Sequence, residues 1–166
     1  MATPSSDELK DLIRKTKPAF AASGLTNDPV RDSAFKVIHD GRGAWMIERP
    51  LQTELLSGGR TILESVHAVE IIDTPAAVNN DVKAALDGKR LAYLDDGVLE
   101  LIGTATVAER PCFRVRAWGL KKRDDRPFEF AVDTETGSIL RMEGGSGTLL
   151  EVTDFRVAEP PADAAG

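Results

Sequence analysis

Apolar and polar residues alternate in short runs along the second half of the chain, and turn residues interrupt these runs about every ten positions. The clearest runs are GVLELIGTATVAERPCFRVRAWG from Gly97, RPFEFAVDTETGSILRMEGG from Arg126 and GTLLEVTDFRV from Gly147. This pattern is typical of an antiparallel meander in which each strand has one buried and one solvated side. The sequence therefore predicts a large antiparallel sheet whose apolar face needs a cover: helices, a partner or an apolar ligand.

The strand at 112–120 shows the alternation well. Phe113, Val115 and Ala117 are predicted to face one side, while Arg114, Arg116 and Trp118 face the other. In the next strand Phe128, Phe130 and Val132 share a face, and DTETG at 133–137 predicts a turn with glycine at a positive φ.

The first residues predict a helix. Ser5 or Ser6 is a suitable N-cap because Asp7 and Glu8 follow it, and Leu9, Leu12 and Ile13 then form an apolar stripe at helical spacing. Pro18 is expected to end or kink this helix. The following AFAAS allows another helical turn before Gly24, and residues 24–32 predict a loop.

The middle of the chain predicts strands in SAFKVIHD, AWMIERP, LQTELLS and TILESVHAVEII, and again in KRLAYLD. Between them a second helix is expected over 75–87, with Thr74 as N-cap and Val78, Val82 and Leu86 four residues apart. Two helices and about ten strands are too few helices for a βαβ pattern. We expect a strongly curved, mainly β (α+β) antiparallel sheet with both helices against its concave face.

Composition narrows the possible functions. The chain has 166 residues, enough for one domain, which we place at 1–158 with a disordered tail at 159–166. A net charge of −6 makes nucleic acid an unfavourable partner. No apolar run is long enough to span a membrane. The start MATPSSDELKDL lacks the features of a secretory signal, which predicts a cytoplasmic location unless Met1 is not the natural start.

Candidate chemistry is sparse. His39 and His67 have no neighbouring ligands at metal-binding spacing, so we expect neither a metal nor another cofactor. The glycine-rich segments SGGR and GGSG lie between strands rather than before a helix, which disfavours phosphate binding. Cys112 lies in a predicted strand and is interpreted as a small half-buried apolar residue. The sequence therefore predicts a protein that is not an enzyme.

Three segments resemble the LolA/LolB-like superfamily, especially its RseB-like and actinobacterial lipoprotein-carrier-like members. They are GTATVAERPCFRVRAWG at 103–119, in which Glu109 stands where glycine is more usual, FEFAVDTETGSILRMEG at 128–144 and EVTDFRV at 151–157. The resemblance implies an open half-barrel of about eleven antiparallel strands, with a helical lid over an apolar cavity. It also implies reversible burial of an acyl chain and a cell-envelope location.

We therefore expect binding of an apolar ligand, a lipid or the acyl chain of a lipoprotein, in the cavity of the half-barrel. The expected cavity lining is apolar and comes from both helices and the meander: Leu9, Leu12, Ile13, Val78, Val82, Phe113, Val115, Phe128, Phe130, Leu140 and Met142. The alternative is an RseB-like protein-interaction or regulatory module with a filled core and no ligand. Trp45 and Trp118 are candidates for partner binding or for lining the cavity, and core or rim packing is the alternative for each.

Overall fold

Eleven strands and two helices make up the part of the chain that the structure describes. This computed structural model describes residues 3–27, 34–50, 52–57, 60–65, 69–72, 81–88, 97–119, 127–144 and 147–158. The helices are α1 (Ser6–Arg14) and α2 (Asp81–Asp87). The strands are β1 (Phe20–Thr26), β2 (Ala34–His39), β3 (Trp45–Arg49), β4 (Gln52–Ser57), β5 (Arg60–Ser65), β6 (Val69–Ile72), β7 (Gly97–Val107), β8 (Arg110–Gly119), β9 (Phe128–Asp133), β10 (Ile139–Gly144) and β11 (Gly147–Val157).

All eleven strands form a single open antiparallel sheet, in the order β6-β5-β4-β3-β2-β1-β11-β10-β9-β8-β7. Two meanders, β1 to β6 and β7 to β11, meet where β1 pairs with β11. This confirms the predicted fold class, an antiparallel half-barrel with helices on one face. The strand predicted at 89–95 lies outside the described residues, as does the first part of the helix predicted over 75–87.

The capping box predicted for α1 is present. Ser5 is the N-cap: its side chain accepts a hydrogen bond from the Glu8 amide, and the Glu8 carboxylate accepts one from the Ser5 amide. The helix ends at Arg14, before Pro18, so the sequence predicted the start and the end of this element.

The expected helical turn at AFAAS and the loop from Gly24 are wrong, because residues 20–26 form β1. This strand pairs on both sides, with β2 and β11, and its inward positions include the small residues Ala22 and Gly24. A Cβ at Gly24 would collide with the Glu151 carbonyl oxygen, because β11 approaches closely at a bulge. Close strand packing explains why a central strand lacks the large β-branched residues that normally identify one.

The hairpin between β7 and β8 turns through Ala108 and Glu109, which have φ values of 52° and 62°. Two consecutive positive φ angles define a type I′ turn, in which the second position favours glycine. This turn geometry explains why glycine is more usual at the position that Glu109 occupies in this chain.

Candidate functional site

The apolar face of the sheet forms the centre of the candidate site. Directly paired residues share a face, and the register aligns Leu101, Val115, Phe130, Met142 and Leu150 across β7 to β11. These side chains belong to one hydrophobic cluster or pack against it, and the cluster also contains residues from both helices. The helices therefore lie on the same face as this row, which is the arrangement predicted for the concave side.

The expected lining residues separate into two groups. Six are almost completely enclosed by other protein atoms, with at most 3% of their surface exposed: Leu9, Ile13, Val82, Val115, Phe130 and Leu140. Four are half-buried at the border of the cluster: Leu12, Phe113, Phe128 and Met142. Val78 lies outside the described residues. The centre of the site is thus closely packed, and its border presents apolar surface.

Helix α1 is fixed at both ends by polar contacts. At its start, the Ser6 hydroxyl accepts a hydrogen bond from the Leu99 amide of β7 at 3.0 Å. At its end, the buried Lys17 ammonium donates to the Ile13 carbonyl at 2.5 Å and to the Lys15 carbonyl at 2.7 Å. A cation there complements the negative end of the helix dipole. Nothing in the sequence indicated that Lys17 would be buried.

Helix α2 contacts both halves of the sheet. The Ser138 hydroxyl, next to β10, donates to the Leu86 carbonyl at 2.9 Å. On the other side, the Lys83 ammonium lies 5.6 Å from the ring centroid of Trp45 in β3. Gly88, which ends the helix at φ +72°, approaches Ile13 so closely that a Cβ would contact it. Helix α2 therefore closes the concave face and touches the other helix.

An aromatic cluster lies beneath α2 on the β1–β3 side. The Trp45 ring is 4.3 Å from the His39 ring and 5.6 Å from the Phe20 ring, and Phe20 also packs 4.9 Å from Phe155. The His39 Nδ1 atom lies 3.0 Å from the Pro18 carbonyl oxygen. A carbonyl only accepts, so Nδ1 carries the proton. His39 thus ties β2 to the segment that joins α1 to β1.

The cluster corrects one of the two tryptophan predictions. Trp45 is only 3% exposed, so its side chain is not at the surface to anchor a partner, and the core-packing alternative describes it. Trp118 is 37% exposed on the opposite face, directly across from the exposed Val98. Its partner-binding role stays a prediction.

A buried ion pair supports the β9–β10 turn that α1 contacts. The fully buried Asp133 carboxylate accepts two hydrogen bonds from Arg110, at 2.9 Å and 3.3 Å, and two from the amide and hydroxyl of Thr136. The hydrogen bond to Asp133 raises the pKa of Arg110 above its usual value. Donors surround this carboxylate, which makes it a structural group rather than a general base.

The single cysteine also lies beside this pair. Cys112 is buried, and burial together with the nearby Asp133 charge raises the pKa of its thiol to about 11. The thiolate is the nucleophilic form of cysteine, so this side chain is unreactive near neutral pH. The prediction of a small buried apolar residue is consistent with this environment.

Two kinds of feature are absent from the described residues: a metal-binding group of side chains and a membrane-spanning helix. Within the described residues, no group of three or more His, Cys, Asp and Glu side chains is arranged to hold a metal ion. Over the same part of the chain, no helix is long and apolar enough to cross a membrane.

Comparisons with known proteins place the fold. No protein-family model and no curated protein sequence matches the chain. The chain is similar to the crystal structure of MucB, with a TM-score of 0.52 and 18% identity over 95% of this chain and 58% of that one. It is also similar to the Pseudomonas aeruginosa MucA/MucB complex structure, with a TM-score of 0.50 and 18% identity over 95% and 58%. A LolA superfamily protein from Nitrosomonas europaea matches at 0.40 and 11% identity, over 97% of both chains.

The protein has a MucB-like fold, and its strand and turn patterns predicted a fold of this kind. It spans 58% of the MucB chain that it matches. At 18% identity the likeness establishes the fold alone, and the MucA/MucB complex describes what MucB assembles with.

Proposed function

We propose that the protein is a non-enzymatic binding protein that takes up an apolar ligand, a lipid or the acyl chain of a lipoprotein, on the concave face beneath α1 and α2. The observation that supports it is the half-buried apolar border formed by Leu12, Phe113, Phe128 and Met142 around a core covered by two helices. A cell-envelope location is part of this proposal, because lipoproteins are envelope components.

The energetics favour such a ligand once the helices move. Burial of apolar surface contributes roughly 25 cal/mol per Å², so a chain that covers about 200 Å² gains about 5 kcal/mol. Among the described residues, the Leu86–Ser138 hydrogen bond is one polar contact that attaches the short helix α2 to the sheet. An incoming acyl chain would displace α2 from the sheet and replace its contacts with β10.

A protein-interaction role is the second candidate, and one observation favours it specifically. Ile13, Val82, Leu86 and Val115 have no exposed surface, which is the packing expected of a filled core. In this role the concave face is a permanent core, and a partner binds the outer face of the sheet or one of its edge strands. MucB, which has this fold, is known in a complex with MucA.

Titration with a naphthalene sulfonate dye, followed by displacement with a fatty acid, separates the two functions. The ligand-binding function predicts saturable binding at about micromolar affinity and displacement by the fatty acid. Met142→Glu, which puts a charge at the concave border, should weaken dye binding about tenfold because charged groups are costly in apolar sites.

Ile38→Glu is the matched control, because Ile38 is 50% exposed and faces the opposite side of the sheet, away from Phe20 and Val37. Its dye affinity should equal that of the wild type. Equal weakening in both variants, or dye binding that fatty acid does not displace, would count against the concave site and favour the interaction role.

A further inference from the structure

Among the strands that the structure describes, β7 is the last at one edge of the sheet, and its outward backbone groups can be identified. In the β7–β8 pair, Thr106 lies opposite Pro111, which has no amide hydrogen, and the Pro111 carbonyl bonds to the Thr134 amide on the other side. This pair therefore exchanges no hydrogen bonds, and the N–H and C=O of Thr106 point away from β8. By alternation, those of Thr104 do the same.

The two ends of this edge differ in accessibility. Near its start the outward Leu99 amide is bound by the Ser6 hydroxyl of α1, so the helix covers the edge there. Further along, Thr104 and Thr106 are exposed. Among the described residues, a Cβ on Gly103 would meet only the Arg114 guanidinium, at 3.9 Å, so the outer face beside this edge is open there. Residues 103–106, which we name the β7 open edge, are therefore accessible to another chain.

The composition of β7 is unusual for an edge. Proteins commonly protect edge strands with lysine, proline or inward-pointing charges. The eleven residues GVLELIGTATV contain a single charge, Glu100, and no proline. The bulge between Leu101 and Gly103 interrupts the edge, but the residues after it carry no such protection. An accessible edge without protection is the backbone arrangement that binds an added strand.

Arg114 gives this edge a charge preference. Arg114 lies opposite Gly103 on the outer face, and its side chain is 47% exposed. One guanidinium nitrogen, Nη2, lies 3.5 Å from Glu129, while Nη1 is on the Gly103 side. Because Gly103 has no side chain, a carboxylate approaching along the edge can reach Nη1. The exposed pair with Glu129 is long and weak, so it competes little with a second acid.

We propose that the β7 open edge binds an extended, acidic segment of a partner protein, which adds a strand beside Thr104 and Thr106 and pairs one carboxylate with Arg114. The β7 open edge gives the protein-interaction role described above a binding surface and a class of partner. This proposal does not depend on whether the concave face holds an apolar ligand.

The test uses the full chain and a fluorescein-labelled heptapeptide of alternating threonine and valine with a central glutamate, compared with the same peptide bearing a central lysine. Fluorescence anisotropy should show saturable binding of the glutamate peptide, at least about fivefold tighter than the lysine peptide. Absence of saturable binding to the wild type would overturn the proposal.

Two variants at one position isolate the backbone contribution. Thr104→Pro removes an outward N–H without removing a β7–β8 hydrogen bond, and should weaken binding about tenfold. Thr104→Ala keeps the N–H and should bind like the wild type. Equal affinity of the proline variant and the wild type would overturn the proposal. Urea unfolding midpoints verify that both variants are folded.

Arg114→Gln tests the charge preference and should bind the two peptides equally. A retained preference for the glutamate peptide would show that Arg114 does not bind the peptide carboxylate. Dye binding should be unchanged in Arg114→Gln, because Arg114 lies on the outer face, so failure at this edge is distinguishable from failure of the concave site.

Discussion

At the scale of single residues, Asp133 shows how a turn becomes a structural centre. Its carboxylate is fully buried, and Arg110 and Thr136 donate to it from two sides. The sequence predicted the turn at 133–137 from its glycine and polar residues. It could not predict the pairing, because Arg110 lies on another strand and only the three-dimensional register brings the two charges together.

Asp133→Asn should lower the free energy of unfolding by about 3 kcal/mol, because it leaves part of a buried ion pair without its partner. Glu135→Gln is the control, since Glu135 also pairs with Arg110 at 3.1 Å but is 74% exposed. It should cost less than about 1 kcal/mol. Urea unfolding of both variants measures the difference. Equal losses of unfolding free energy would show that the buried pair stabilises the fold no more than the exposed pair does.

Cys112 is the second residue whose behaviour follows from burial. Its pKa is raised from 9.0 to about 11, so the folded chain holds the thiol proton more tightly than the unfolded chain. The resulting stabilisation is present below pH 9 and is lost as pH rises from 9 toward 11. We expect the thiol to react with Ellman's reagent at pH 8 at least about tenfold more slowly in the folded protein than in urea.

Replacement by serine keeps a donor for the Arg110 carbonyl and removes the titrating thiol. The alkaline loss of stability should therefore be smaller in Cys112→Ser than in the wild type. Rapid labelling of the folded protein at pH 8 would contradict the account of an inert, buried thiol.

At the scale of helices and strands, sequence patterns predicted the elements whose formation depends on residues close in the chain. The α1 N-cap, the inward Val115 and Ala117 of β8 and the turn at Asp133–Gly137 all appear as expected. The alternation expected in β9 is absent, because Phe130 to Asp133 are all buried. Strand β1 was missed because its small residues are selected by the approach of β11 and β2, which no local pattern shows. Whether a segment becomes a central strand depends on partners far away in the chain.

The contact between α1 and the β9–β10 turn depends on Gly137, which has a φ of +78° and lies against the Leu12 carbonyl. Gly137→Ala should strain the backbone and also push the helix away. Gly147→Ala is matched, because Gly147 has a φ of +116° but nothing within 4 Å of the added Cβ. We expect a loss of about 1–2 kcal/mol at Gly147 and at least about twice that at Gly137 in urea unfolding. Equal losses would mean that the helix contact contributes little.

At the scale of the whole molecule, the sequence predicted the sheet better than its cover. The apolar positions Val115 and Phe130 were identified from alternation alone, and they belong to the same hydrophobic cluster as residues of α1 and α2. The aromatic cluster of Phe20, His39 and Trp45 was not predicted, because it depends on the register of β1, β2 and β3. Burial of Lys17 was also missed: its ammonium folds back onto the Ile13 and Lys15 carbonyls at the helix end, and no sequence pattern marks that conformation.

The most direct test of the central proposal is lipid extraction and mass spectrometry of protein purified without detergent. We expect about one acyl-chain lipid per protein chain in the wild type, because the concave face can bury enough apolar surface to hold one. Met142→Glu should contain much less and Ile38→Glu the same amount. A wild-type protein that is reproducibly empty would contradict ligand binding and leave protein interaction as the function of this fold.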